Sequence, residues 1–454
     1  MEPNNDRLIV ASTDSHVGPS VAEYRSYLDP RYGPDLDILV EEEREFFELL
    51  DFGAMLEFTP EELELVDPRG AIRNGGLDGL TDPGRRLKEA EAEGVVAEVL
   101  NPQAQGSYTP WFRTSNRKCS LELRGVGTRA YNRWLADYCS VAPHRLLGMA
   151  AMEPWPDMAA MVQEVHWARE IGFGGVVAPQ CPGQGDTPGF EDPFWDPFWA
   201  VCADEGMPIE FHAGFGLPQG YSWKVFDEYR QETAKTGGAS FGGATTDKLF
   251  FNDWMAKRPF WQLAWAGVFD RYPGLKLVFT EQHADWVLPL LDYLERRFDE
   301  ERPPRMTLRP REYWLRHCAI GATSTRRNEL AMRDEIGVET FMFGTDFPHT
   351  EGTWPNTREW MQATFSDLSE QELRMICGEN AIRFFGLDRP KLAELAARVG
   401  PRVGDVLGDF DVSPLLIKHF DMRSGYLKPL MSFDLPEVSS LVDDDSAKIA
   451  TARP

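Results

Sequence analysis

Short apolar runs alternate with amphipathic stretches up to about residue 386, and this rhythm constrains the fold more than any other feature of the chain. The runs span residues 8–12, 95–100, 146–152, 175–178, 208–211, 277–280, a weaker one near 318–321, and 340–343. They are rich in Val, Ile, Leu, Met or Phe and are followed by Gly, Pro, Asn, Asp or Ser, as strands buried on both faces are. Helical patterns lie between them at 86–93, 157–171, 197–205 and 328–336; the second carries apolar Met158, Met161, Val162, Val165 and Ala168 on one face. Eight strands alternating with helices predict the α/β class and a (β/α)8 TIM barrel, with an open doubly wound sheet as the alternative.

Three stretches break the rhythm. Residues 17–80 follow the first strand and far exceed an ordinary βα loop. Residues 214–260 follow the fifth, with Gly, Trp, Phe and Tyr but little periodicity, and read as a lid or a subunit contact. The rest is a tail. The expected organisation is therefore a barrel over 1–388, including insertions 17–80 and 214–260, and a C-terminal extension over 389–454. That extension starts in a helical pattern at 390–398 and ends in a polar segment, 443–454, expected to be mobile.

The 454 residues include 47 basic and 73 acidic ones, for a net charge of −26. So acidic a chain is a poor partner for nucleic acid or an anionic membrane. The charge is concentrated, because residues 35–70 hold 13 acids and two bases, which places an acidic insertion beside the first strand. Hydrophobic residues at 42% exclude wholesale disorder. No apolar run approaches the roughly 18 residues of a membrane span. The six cysteines are far apart with no C-x-x-C, and the opening residues lack the pattern of a secretory signal, so a reduced cytoplasmic setting is expected. No G-x-G-x-x-G or G-x-x-x-x-G-K-[ST] is present, which removes two phosphate-binding loops.

Eight histidines can be weighed singly. His144, His166, His317 and His419 occupy helical or irregular positions and read as surface or core residues. His16, His212, His283 and His349 stand at or just beyond strand ends. The first run leads into Thr13-Asp14-Ser15-His16, where strand alternation points Asp14 and His16 the same way. At the C-terminal end of a barrel strand both face the mouth, where barrel enzymes keep their chemistry. The fifth run ends Glu210-Phe211-His212-Ala213-Gly214, and the eighth Gly344-Thr345-Asp346-Phe347-Pro348-His349. Each pattern alone also describes a capping Asp, a hydrogen-bonded turn or a packed His. Together they offer imidazole nitrogen and carboxylate oxygen without thiolate, a donor set for Zn, Mn or Fe. Donors on strands one, five and eight converge only if the sheet closes.

With these motifs in view, the chain resembles the amidohydrolase-related enzymes, the branch that includes aminocarboxymuconate-semialdehyde-decarboxylase-like and resorcylate-decarboxylase-like members. The resemblance covers roughly residues 7–388. It rests on Asp14-Ser15-His16, Tyr131-Asn132-Arg133-Trp134-Leu135 before Arg145-Leu146, Gly172-Phe173-Gly174-Gly175-Val176, residues 208–214 with His212, the motif ending in His349, and Asn380-Ala381. It implies a metal-dependent hydrolase-type barrel, with Asp14, His16 and His212 as metal ligands and Asp346 as a ligand or proton-transfer residue. It also implies a homodimer. One departure stands out: many members have a catalytic His where strand six ends, whereas this chain has Glu281 and then His283.

The expected activity is hydrolysis or non-oxidative decarboxylation of a small cyclic or carboxylated molecule, using one divalent ion. Asp346 orients water or moves a proton to carbon, and Glu281 or His283 handles the second proton. Arg113, Trp111 and His349 are the candidate substrate contacts, Arg113 through a bidentate pair with a carboxylate. Glu281 and His283 also permit a second metal ion, hence the alternative of a di-iron oxygenase on the same scaffold. A catalytically inactive binding barrel is the remaining alternative.

Overall fold

The computed structural model describes residues 6–50, 60–102, 109–111, 119–153, 157–180, 183, 187–216, 254–349, 351–430 and 435–451. Eight parallel strands are neighbours in chain order: β1 (Ala11–His16), β2 (Ala97–Asn101), β3 (Leu146–Ala151), β4 (Gly175–Val177), β5 (Ile209–His212), β6 (Leu277–Thr280), β7 (Cys318–Thr323) and β8 (Phe341–Gly344). The sheet turns back on itself where Phe347, just past β8, bridges Ser15 of β1, with Asp346 N donating to Asp14 O at 2.8 Å and His16 N to Phe347 O at 2.6 Å. The protein is thus a (β/α)8 barrel and not an open sheet. Close approach at this seam needs Gly344, since a Cβ there would stand 2.8 Å from Cβ of Asp14.

All eight expected strands form, but β1 lies further along the chain than the apolar run at 8–12. Its ladder passes through Thr13, Asp14, Ser15 and His16, all buried. Burial of such a polar run is tolerable only if its groups are bonded. Ser15 Oγ donates to Glu98 Oε1 at 2.9 Å, and Glu98 in turn pairs with the guanidinium of Arg86. Register slips between Ser12 and Ser15, a local irregularity that re-aims side chains at the mouth.

The strand-starting end is filled by Ile9, Ala11, Val96, Leu147, Val278 and Met342, packed against Ile382, Phe385 and Leu392. The helices Asn380–Phe385 and Arg389–Val399 that carry the last three therefore close the barrel at the end away from His16. Chemistry is left to the other end.

The described parts of 17–80 include the helices Val21–Tyr27 and Gly33–Leu50. Leu36 and Leu39 of the longer helix pack on Val21 and Trp111, while Asp35, Asp37, Glu41 and Glu45 face outward and Glu43 accepts from Val21 N at 3.0 Å. The expected lid or subunit contact at 214–260 falls largely in 217–253, outside the described residues. The polar end of the chain differs from expectation, because Leu435–Thr451 is a helix. Val438, Val442, Asp445 and Ile449 share one face of it and are buried. Asp445, 1% exposed, accepts from Arg258 at 2.6 and 2.8 Å, Trp261 Nε1 at 2.8 Å and Gln262 Nε2 at 3.1 Å. The run Asp443-Asp444-Asp445 hides this docking face from a reading of composition. Among the described residues, no helix is long and apolar enough to cross a membrane.

Candidate metal centre

β1 supplies Asp14 and His16, and β5 supplies His212. Asp14 Oδ1 lies 3.4 Å from His16 Nε2 and 3.5 Å from His212 Nε2. The two imidazoles meet edge to face, with ring centroids 5.0 Å apart. Glu281, just past β6, places Oε2 3.3 Å from His212 Nδ1. Past β8, Asp346 Oδ1 lies 3.4 Å from His16 Nε2 and 2.6 Å from His349 Nδ1. Two overlapping groups result, each with its donor atoms within 4.8 Å of one another: Asp14, His16, His212 and Glu281; and His16, Glu281, Asp346 and His349.

Surrounding atoms aim these donors. The Pro102 carbonyl can only accept, so His16 donates Nδ1–H to it at 2.9 Å and keeps the lone pair of its neutral form on Nε2. Asp14 accepts from Asn101 Nδ2 at 3.2 Å and from the Thr323 hydroxyl. His16 Nε2 and Asp346 Oδ2 are buried with no hydrogen-bond partner among the described residues. Buried polar atoms are rarely left so, and their presence at a cluster of carboxylates and imidazoles suits a divalent cation.

The electrostatics agree. Burial pushes the Asp14 carboxyl up, but its attraction to the neighbouring His16 and His212 imidazoles outweighs that and holds it well below the usual range. Burial pushes the His16 imidazole down, yet Asp14 and Asp346 raise it to about 10. For His349 the same contest, with Asp346 as the main partner, ends at about 9. Glu281 is driven well above the carboxylate range by burial and then by Asp346. Glu210 lies on the strand beneath His212, buried, and is raised to about 8 by burial first and by Asp14 among lesser causes. Excess carboxylate, held as neutral acid or against imidazolium, is what a cation would relieve.

The backbone is strained at the same place. Glu281, His283 and Asp346 have φ of 57°, 51° and 53°, a region that costs roughly 1–3 kcal/mol for a residue with a side chain.

Not every residue singled out from the sequence joins the cluster. His283 is buried outside both groups, with Nδ1 3.7 Å from Glu329 Oε1, and burial together with Arg326 holds it well below the usual range. Trp111 packs in the insertion cluster with Val21, Leu36 and Leu39. Arg113 lies outside the described residues. His349 is bonded to Asp346 at the edge of the centre, its ring 4.2 Å from that of His16. Sequence reading missed Thr323 and the Pro102 carbonyl, whose contacts to Asp14 and His16 are long-range.

The amidohydrolase family profile matches residues 122–387, more than half of the chain. The chain belongs to the amidohydrolase family and is an enzyme. Among curated relatives, the gamma-resorcylate decarboxylase of Rhizobium radiobacter is 26% identical over 316 residues, covering 67% of this chain and 86% of the relative. Among solved structures, an amidohydrolase from Mycobacterium avium subsp. paratuberculosis K-10 superposes with a TM-score of 0.59 at 20% identity, covering 84% of this chain and all of that one. A dihydroxybenzoic acid decarboxylase from Polaromonas sp. JS666, with bound manganese and the inhibitor 2-nitroresorcinol, gives 0.55 at 17% identity, covering 85% and 99%.

Proposed function

We propose that this enzyme is a metal-dependent, non-oxidative decarboxylase of a small hydroxylated aromatic carboxylate. The observation that carries the reading is the meeting of Asp14, His16, His212, Glu281 and Asp346 at one barrel mouth, in a chain whose curated relatives include decarboxylases. Asp14, His16 and His212 would hold the ion, with Asp346 beside it. Manganese is the first candidate, as the Polaromonas neighbour holds it. When bound, a divalent ion supplies a Lewis acid for carboxylate and phenolate oxygens.

The chain's own residues then move protons. Loss of CO2 breaks the carbon–carbon bond and leaves its electron pair on the ring, so the ring carbon must receive one proton. Asp346 is placed to move that proton, and His349, 2.6 Å away, to restore it. Glu281, whose carboxyl burial pushes well above the usual range, is a second candidate acid beside His212. His283, turned toward Glu329, is less suited to the role. One ion is favoured over two, because His16 has a single nitrogen to give once Nδ1 is spent on Pro102, and both donor groups need it. Hydrolysis would use the same ligands, but the curated relatives favour carbon–carbon cleavage.

The test is CO2 release by the manganese-loaded full chain from 2,6-dihydroxybenzoate and 5-carboxyvanillate. Release without oxygen uptake, stopped by a chelator and restored by manganese, is expected. No release from either, or oxygen consumption coupled to turnover, would contradict the reading.

A further inference from the structure

The C-terminal extension returns to the active-site end of the barrel. Its helix Pro414–Ser424 sets Phe420 against Trp360, with ring centroids 4.6 Å apart. Trp360 Nε1 is bonded to the Thr325 carbonyl at 2.9 Å, just past β7. Further on, Tyr426 donates to Ala363 O at 2.8 Å, and the Lys428 carbonyl accepts from Asn328 Nδ2 at 2.9 Å. Residues 414–428 are thus bonded to the segments that leave β7 and β8 at the mouth.

Arg423, at the end of that helix, is 8% exposed. Its Nε and Nη2 are buried with no hydrogen-bond partner among the described residues. Among the described residues, the carboxylate that attracts it is Glu351, which also acts on Glu281 and His349. Among the described residues no carboxylate is within ion-pair distance of Arg423; the Phe420 ring lies 5.6 Å from the guanidinium carbon, and the guanidinium charge also reaches His419. A buried guanidinium with unused donors is unfavourable unless an anion or water completes it. Its planar fork matches a carboxylate bidentately. Glu351, two residues past His349, is the carboxylate whose charge reaches both Arg423 and the Glu281–His349 side of the cluster.

We propose that Arg423 anchors a second anionic group, a carboxylate, of the substrate, distal to the group at the metal centre. The extension is then part of the active site, and the substrate class narrows to aromatic acids with two acidic groups. The assignment of one carboxylate to the metal side rests on the decarboxylase reading.

The test is calorimetric titration of the manganese-loaded full chain with isophthalate and terephthalate, each against benzoate. The better of the two dicarboxylates is expected to bind about tenfold or more tightly than benzoate, a modest value for a buried charge pair. In R423Q that advantage disappears while benzoate affinity and melting temperature hold; R423K keeps part of it, as charge without the fork should. Equal affinities in the wild-type chain overturn the proposal, whether or not R423Q folds. So does a folded R423Q that keeps the preference. CO2 release is read separately. A dicarboxylate preference without release supports the anchor and removes the decarboxylase; release without the preference removes the anchor alone.

Discussion

Asp346 combines the most chemistry with the least comfortable backbone. It faces His16, holds His349 at 2.6 Å, and does so at φ 53°. Asp346→Asn keeps size and fold but cannot exchange a proton. We expect kcat for CO2 release to fall about 10²–10⁴-fold with KM changed far less, measured under steady state on 2,6-dihydroxybenzoate. A drop under threefold would remove Asp346 from proton transfer. At this scale the sequence was informative wherever a donor follows a strand by a fixed count. Asp14 with His16, His212, and the Asp346 turn all stand out that way. It was silent on what aims them. Thr323 and Pro102 act on residues far away in the chain, and nothing local marks them. The sequence likewise treats Glu281 and His283 as equals; only the paired left-handed residues after β6 separate them, turning one to the centre and the other to Glu329.

At the scale of elements, the seam between β8 and β1 is the part that must not move, since it carries Asp14, His16 and Asp346. Arg86, from the helix Pro83–Ala92, braces it. Its guanidinium pairs with Glu98 of β2 and lies over the Phe347 ring, 3.5 Å from the centroid, with both charged partners about 1% exposed. Removing one member of a buried pair strands the other. Arg86→Leu is therefore expected to cost about 3–5 kcal/mol in urea unfolding, well above the effect of losing a surface pair. A cost below about 1 kcal/mol would show that Glu98 finds another partner or a proton. Element existence was legible because each strand carries an apolar run. Boundaries are less so: the functional end of β1 is polar and hides the strand's extent, and acids around the apolar face of the helix Leu435–Thr451 hide its docking.

Across the whole molecule, the excess length resolves into parts with different relations to the mouth. The insertion after β1 carries much of the −26 charge, and its pairs Arg25–Asp37 and Arg44–Glu41 are exposed and contribute little to stability. The extension reaches both ends: Arg389–Val399 helps to close the barrel base, and Pro414–Ser424 approaches the mouth. Neither relation follows from periodicity, because docking of a tail depends on which surface it meets. Strand convergence does follow from it, since only a closed sheet brings strands one, five and eight to one point, and the claim of a metal centre stands on that closure. Its most direct test is elemental analysis of the full chain and of His212→Ala, both purified without added metal and with the fold checked by circular dichroism. The account predicts about one divalent ion per chain, absent from His212→Ala together with all CO2 release. A folded His212→Ala with normal metal content and rate, or two irons per chain with oxygen consumption, would contradict it.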